Sequence, residues 1–238
     1  MIELRLGRAR AIWTDRLGGV SAAPYDDANL SLRVGDDDAA VGENRARLAA
    51  HLELVPPEQW WWLDQVHGST TIVATAPAPS SPPVADATIT ATPGLPLTVM
   101  TADCAPIALA TNDAVGVVHA GWQGIVAGVI DAGVSALRDV SHGEIKAAIG
   151  PCIRPARYEF GRAELNRVVD VLGSDVEGRT DNGDPALDLP RAARLALERA
   201  GVVDVDDVEI CTAASPDYFS HRRDGTTGRQ ALVLVLES

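Results

Sequence analysis

The stretch Leu97-Thr-Val-Met-Thr-Ala-Asp-Cys-Ala-Pro-Ile-Ala-Leu-Ala-Thr-Asn-Asp-Ala-Val-Gly-Val-Val-His-Ala-Gly-Trp122 decides the fold class. It holds three apolar runs of strand length, Leu97–Met100, Ile107–Ala110 and Ala114–His119. It also sets Cys104 and His119 near the ends of two consecutive runs. Further out, Trp60–Leu63 is read as the start of a strand leading to His67, and Thr70–Ala74 continues the β pattern. Residues 2–14 read as one or two short strands, and Glu144–Ile149 as another, stopped by Gly150-Pro151. Val208–Thr212 and Ala231–Leu236 complete the strand set. Helices are expected over about 39–52, where Val41, Leu48 and Leu52 share a face, and over Ile125–Leu137, 162–172 and 190–200, the last with Pro190 at its start. Ala76–Val84, with four prolines and two serines, reads as a surface loop. Strands and helices interleave without a strict βαβ repeat, so the expectation is mixed α/β with a largely antiparallel or mixed sheet.

The chain has 238 residues, enough for a single domain with a substantial core. A formal net charge of -13 opposes nucleic acid and anionic membranes, so any anion site must be built locally from arginines. The three cysteines, Cys104, Cys152 and Cys211, are too few for a disulfide framework. The N-terminus lacks the pattern of a secretory signal, and no apolar run reaches membrane-span length. The expected location is therefore the cytoplasm. Oligomeric state is not legible in the chain.

His67, Cys104 and His119 are candidate metal ligands. Their separations, 37 and 15 residues, match no short metal motif. Each is flanked by Gly, Ala or Asp, which leaves the backbone room to bring three strand ends together. Three protein ligands leave a coordination position open, as in catalytic zinc sites. Gln65 and Asp103 are placed to orient these ligands. The same residues also allow Cys104 to act as a nucleophile with His119 as its base. A second constellation is Tyr218-Phe-Ser-His-Arg-Arg-Asp-Gly-Thr-Thr-Gly-Arg229. Its arginine forks and glycines suit a phosphate or carboxylate, and a solvated turn is the plain alternative. Glu159, after the rigid Gly150-Pro151-Cys152-Ile153 turn, could be a general acid or base, but more often such a residue is simply exposed. Trp60–Trp62 are expected in the core rather than stacked on a ligand. Asp204, Asp206 and Asp207 read as a solvated acidic turn.

Taken in order, Gly18-Gly-Val-Ser21, Asn29-Leu-Ser31, Val34-Gly-Asp36, Glu43-Asn-Arg45, Gln65-Val-His-Gly68, Ala85-Asp-Ala87, Thr101-Ala-Asp-Cys104, His119-Ala-Gly-Trp122 and Arg222-Arg-Asp-Gly225 resemble the YfiH family, the laccase-domain or polyphenol-oxidase-like proteins. The resemblance spans nearly the whole chain. It implies an α/β/β/α layered fold shared with cysteine hydrolases, in one domain over 1–238. It implies one zinc ion, with copper as the alternative, on His67, Cys104 and His119. It implies phosphorolysis of adenosine, inosine, guanosine and methylthioadenosine, with adenosine deamination beside it. On that reading the partners are a purine nucleoside and inorganic phosphate. Arg222, Arg223, Arg45 and Asn29 would bind substrate and phosphate, while Cys104, Asp103 and Gln65 would serve the chemistry. For deamination Asp103 would shuttle the proton.

Phenol oxidation on copper, a Cys104 hydrolase acting on peptidoglycan precursors, and a non-catalytic metal-binding protein are the rivals. The chain has only five histidines, meagre for multicopper chemistry. Two positions depart from the family pattern. Gln123 stands where arginine is usual after His-Ala-Gly-Trp, and Arg157 stands where a cysteine commonly precedes Tyr-Glu. Gln123 is expected to weaken phosphate use, with Arg157 the candidate to restore the charge.

Overall fold

The last strand shows how the layers form. In Gln230–Leu236 every residue is buried, so both faces must be covered. Side chains alternate faces along a strand. Ala231, Val233 and Val235 therefore pack on one side with Leu48, Leu52, Trp60 and Trp62. Leu232, Leu234 and Leu236 pack on the other with Trp13, Leu97, Val99, Val115 and Val117. Burying each such Leu or Val contributes about 1.5–3 kcal/mol. In Ala105–Ala110 the alternation recurs: Ala108 and Ala110 face the layer of Trp13, whereas Ile107 and Leu109 face a second, helix-lined core.

The computed structural model describes residues 1–76 and 78–238; Pro77, in the proline-rich loop expected over Ala76–Val84, lies outside the described residues. The chain runs through β1 (Ile2–Leu6), β2 (Ala9–Trp13), α1 (Asp38–Leu52), β3 (Thr71–Val73), β4 (Ala87–Thr90), β5 (Leu97–Thr101), β6 (Ala105–Ala110) and β7 (Val115–Ala120). It continues through α2 (Trp122–Val126), α3 (Val129–Val140), β8 (Lys146–Ile149), α4 (Arg162–Leu172), β9 (Glu177–Arg179) and β10 (Pro185–Leu187). It closes with α5 (Leu189–Arg199), β11 (Asp204–Asp207), α6 (His221–Asp224) and β12 (Gln230–Leu236). One sheet has the order β1-β2-β12-β5 and the other β11-β8-β6-β7-β4-β3, with β9 and β10 forming a small separate ribbon. The large sheet is mixed: β3–β4 and β8–β11 pair in parallel and the remaining neighbours antiparallel. The sheets face each other, α1 covers the outer face of the first, and α3, α4 and α5 cover the second. This is the α/β/β/α sandwich.

Several local expectations change. The helix expected over Ile125–Leu137 is two helices. Gly121 takes the extended N-cap of α2, and Gly128, at φ 86°, breaks the chain before α3. Trp60–Leu63 is not a regular strand. Trp61 makes a single bridge to Leu97, and the three indole N–H groups donate to the carbonyls of Val55, Ala76 and Pro57. Trp60 and Trp62 stack at 5.6 Å in the core, as expected. The closing strand near Val208–Thr212 lies earlier, as β11. There Asp207 is clamped by both terminal nitrogens of Arg154, so the acidic run is an edge strand and not a solvated turn. The Gly150-Pro151 turn needs its glycine, because a Cβ at residue 150 would lie 1.9 Å from the Trp13 indole nitrogen.

Candidate functional site

Two strand ends and a loop converge at one end of the large sheet, beside its central strands β6 and β7. Cys104 directly precedes β6, and His119 lies in β7 opposite Pro106. His67 sits in the loop before β3 with φ 58°, left-handed backbone that is uncommon for a non-glycine residue. One ligand atom from each of His67, Cys104 and His119 lies within 4.8 Å of the others. The His67 Nε2 to Cys104 Sγ distance is 3.7 Å. Gly121 makes this closeness feasible, since a Cβ there would lie 2.8 Å from His67 Cδ2 and 3.0 Å from Cys104 Sγ. Among the described residues this is the one such cluster of three or more His, Cys, Asp or Glu side chains.

Asp86 organises the cluster, and sequence reasoning gave it no role beyond its place in a family motif. It is fully buried at the entrance to β4. One oxygen lies 2.8 Å from His119 Nδ1 and accepts the His67 amide at 3.0 Å. The other accepts the amides of Gly68 at 2.7 Å and Val66 at 3.3 Å. One carboxylate thus fixes the His67 loop and turns His119 Nε2 toward Cys104, the outer-shell role carboxylates play behind metal-bound imidazoles. The signal was available: an acid followed by an apolar strand within a matched motif. Burial alone would raise the Asp86 pKa, but the hydrogen bonds from His119 and the amides outweigh it and lower it.

Burial would likewise raise the Cys104 thiol, yet His119 and His67 beside it bring it down to about 6. His119 is pushed up to about 9, because the Cys104 thiolate and Asp86 outweigh its burial. The metal-free pair is therefore thiolate and imidazolium. Neutral-pH thiolate and two imidazoles form a borderline-soft donor set suited to zinc or copper. The residues fit a metal ion, whose binding would displace the His119 proton.

The cluster opens into a cavity of about 430 Å³, walled by residues that include Gln65, Thr101, Asp103, Trp122, Gln123, Tyr158, Arg222 and Arg229. This lies within the range of about 300–1,000 Å³ typical of small-molecule sites. Arg222 and Arg229 both reach it, and neither pairs with a carboxylate among the described residues. Arg222 donates to the Glu159 carbonyl at 2.6 Å and stacks over Tyr158 at 4.8 Å. Arg229 donates to the carbonyls of Thr227 and Gly228, each at 2.9 Å. Thr101 Oγ1, in the same wall, is buried without a hydrogen-bond partner among the described residues.

Not every expected site residue faces the cavity. Gln65 and Asp103 do, but their polar atoms are engaged. The Gln65 amide exchanges two 2.8 Å hydrogen bonds with the Met100 backbone. Asp103, at φ 102°, accepts the Thr212 hydroxyl and the Arg222 amide, each at 2.7 Å. It therefore ties the Cys104 loop to the arginine loop. Arg223 lies outside the cavity wall and donates to the carbonyls of Thr212, Ser215 and Tyr218 and to Asp224. Arg45, also outside, stacks on Trp62 at 3.8 Å and holds the Leu30 carbonyl, its pKa lowered to about 10 by burial. Asn29 is wholly buried and accepts the amides of Ser31 and Arg229 at 3.0 and 2.9 Å. Arg45 and Asn29 thus support the segment that carries Arg229, the last arginine of the Tyr218–Arg229 constellation. Glu159 is exposed and outside the wall. Arg157 is paired with Asp181 at 3.5 Å, so it does not replace the missing arginine at Gln123, which stands on the cavity rim in α2.

Residues 10–237 match the family model described as multi-copper polyphenol oxidoreductase laccase. The chain belongs to this family. It is 44% identical to purine nucleoside phosphorylase ORF3 of Streptomyces griseus, over 94% of this chain and 93% of that protein. It is 39% identical to purine nucleoside phosphorylase YfiH of Shigella flexneri, over 93% of this chain and 91% of that protein. The fold superposes on the crystal structure of YlmD from Geobacillus stearothermophilus with a TM-score of 0.89 and 34% identity, covering 97% of this chain and 92% of that one. The laccase-like YfiH family is thus reached from motifs, fold and relatives alike. No helix of the described residues is long and apolar enough to cross a membrane.

Proposed function

We propose that this protein is a zinc-dependent purine nucleoside phosphorylase acting on adenosine, inosine, guanosine and methylthioadenosine. The observation that carries the reading is the shared cavity: two arginines without carboxylate partners among the described residues open onto the same space as the His67–Cys104–His119 cluster. The names of the relatives agree with it. A zinc ion held by His67 Nε2, Cys104 Sγ and His119 Nε2 would supply Lewis-acid stabilisation of developing negative charge. Arg222 and Arg229 bind phosphate, each fixed at one end by backbone carbonyls and free at the other. Fixed cationic donors need no reorganisation as charge moves, which is why they favour the transition state. In a chain of net charge -13, they also give the anion its local attraction.

Phosphorolysis is favoured over deamination by the state of Asp103. Deamination needs an acid to carry a proton to the leaving amine, and Asp103 is instead held by the Thr212 hydroxyl and the Arg222 amide as a tie between two loops. Copper phenol oxidation is disfavoured by the single two-histidine, one-cysteine cluster. Product analysis on adenosine, with and without phosphate, tests the reading. Adenine and ribose 1-phosphate, formed only with phosphate, are expected. Inosine as the product, or free ribose, would reassign the activity to deamination or hydrolysis.

A further inference from the structure

The cavity wall holds one phenol, Tyr158, whose hydroxyl none of the interactions above uses. Tyr158 follows the turn Pro155–Arg157, and its carbonyl accepts the amide of Leu187 in β10. Its ring is fixed by Phe160 edge-on at 5.0 Å and by Arg222 over its face at 4.8 Å. Phe160 in turn meets Trp122, the first residue of α2, at 5.5 Å. The ring thus has little freedom, while its hydroxyl has no hydrogen-bond partner among the described residues. A rigid phenol that lines the cavity, set beside a metal-type cluster and two phosphate-binding arginines, is placed for a substrate atom.

Resting on the phosphorylase reading, we propose that Tyr158 is a catalytic residue that donates a hydrogen bond from its hydroxyl to N7 of the departing purine. In the reaction an oxygen of hydrogen phosphate forms a bond to C1′ as the C1′–N9 bond breaks. The bonding pair leaves with the purine and spreads over its five-membered ring, reaching N7. The proton of hydrogen phosphate ends on the purine, so the phenol gives up no proton and is unchanged after turnover. Burial, with Cys104 and Asp103 nearby, raises the Tyr158 pKa despite the opposing pull of Arg222. The phenol therefore stays protonated across the neutral range. A donor aimed at charge that appears only during bond breaking accelerates the chemical step more than it strengthens binding.

The test compares inosine with 7-methylinosine in wild-type protein and Tyr158→Phe, with phosphate varied. The methylated base leaves as a neutral molecule, and its N7 has no lone pair for a donor. For inosine, Tyr158→Phe should lower kcat about 10–100-fold, the effect of one hydrogen bond to a charged group, with the KM for phosphate little changed. For 7-methylinosine the variant should match wild type within about threefold, a split that simple loosening of the fold would not produce. Melting temperatures of the two proteins should agree. Equal losses on both substrates, or no loss on inosine, would overturn the role of Tyr158 while leaving the phosphorylase reading standing. A wild-type protein that releases no base from either substrate would overturn both together.

Discussion

Replacing Asp86 by asparagine should damage metal binding far more than its distance from the cavity suggests. The oxygen of Asp86 that faces His119 Nδ1 and the His67 amide meets two groups at 2.8 and 3.0 Å. If the asparagine oxygen keeps Gly68 and Val66, its NH2 group takes this place and points a donor at the His67 N–H. His119 must then accept at Nδ1 and carry its proton on Nε2, the nitrogen turned to the cluster. The metal-binding lone pair is lost in that tautomer. Loss of such an outer-shell carboxylate costs about 10–100-fold in metal affinity, or about 1.4–2.8 kcal/mol. Competition of the purified protein with a chromophoric chelator at neutral pH reads this directly, with Asp113→Asn, a carboxylate remote from the cluster, as control. Zinc affinity of Asp86→Asn within about threefold of wild type, against the expected drop, would refute the argument that this carboxylate sets the tautomer.

Arg229→Ala should raise the KM for phosphate about 10–100-fold, the effect of one charge-assisted hydrogen bond. Arg223→Ala should mainly lower the melting temperature, because its bonds go to backbone carbonyls and to Asp224; a larger phosphate effect from Arg223 would reverse the assignment. Gln123→Arg should increase phosphorolysis at subsaturating phosphate, since a charged donor bonds roughly twice as strongly as a neutral amide; equal rates in the two proteins would place residue 123 out of reach of the anion. Burial would raise the Asp207 pKa, but the hydrogen bonds from Arg154 and the Glu209 amide lower it further. Its stabilising contribution is therefore full above the unfolded value of about 3.9 and fades as pH falls through the lower folded value. Asp207→Asn should lose less melting temperature than wild type between about pH 5 and pH 3, and parallel melting curves would contradict this pairing.

The layered fold was legible where apolar runs alternate with turns, as in Leu97–Trp122. It was less legible where local chemistry overrides the pattern. Gly128 divides a helix that periodicity reads as continuous, and three indole N–H bonds hold Trp60–Trp62 in irregular backbone. An acidic run became an edge strand through its parallel pairing with β8, with Asp207 clamped by Arg154 and Asp204 beside Lys146. At the site, the cluster of His67, Cys104 and His119 was legible because thiol and imidazole declare themselves by type. Arginines do not, since the same side chain binds an anion or a carbonyl. Arg222 and Arg223 are adjacent in sequence, yet only Arg222 reaches the cavity. Asp86 and Asn29 act by accepting backbone amides from distant segments, which no spacing in the sequence encodes.

The most direct test of the central claim is inosine phosphorolysis by protein stripped of metal and then titrated with zinc. Activity should be near zero at the start, rise in proportion to bound zinc and level off at about one ion per chain, with Cys104→Ser failing to recover. Full phosphorolysis in the stripped protein, or in Cys104→Ser, would contradict the account.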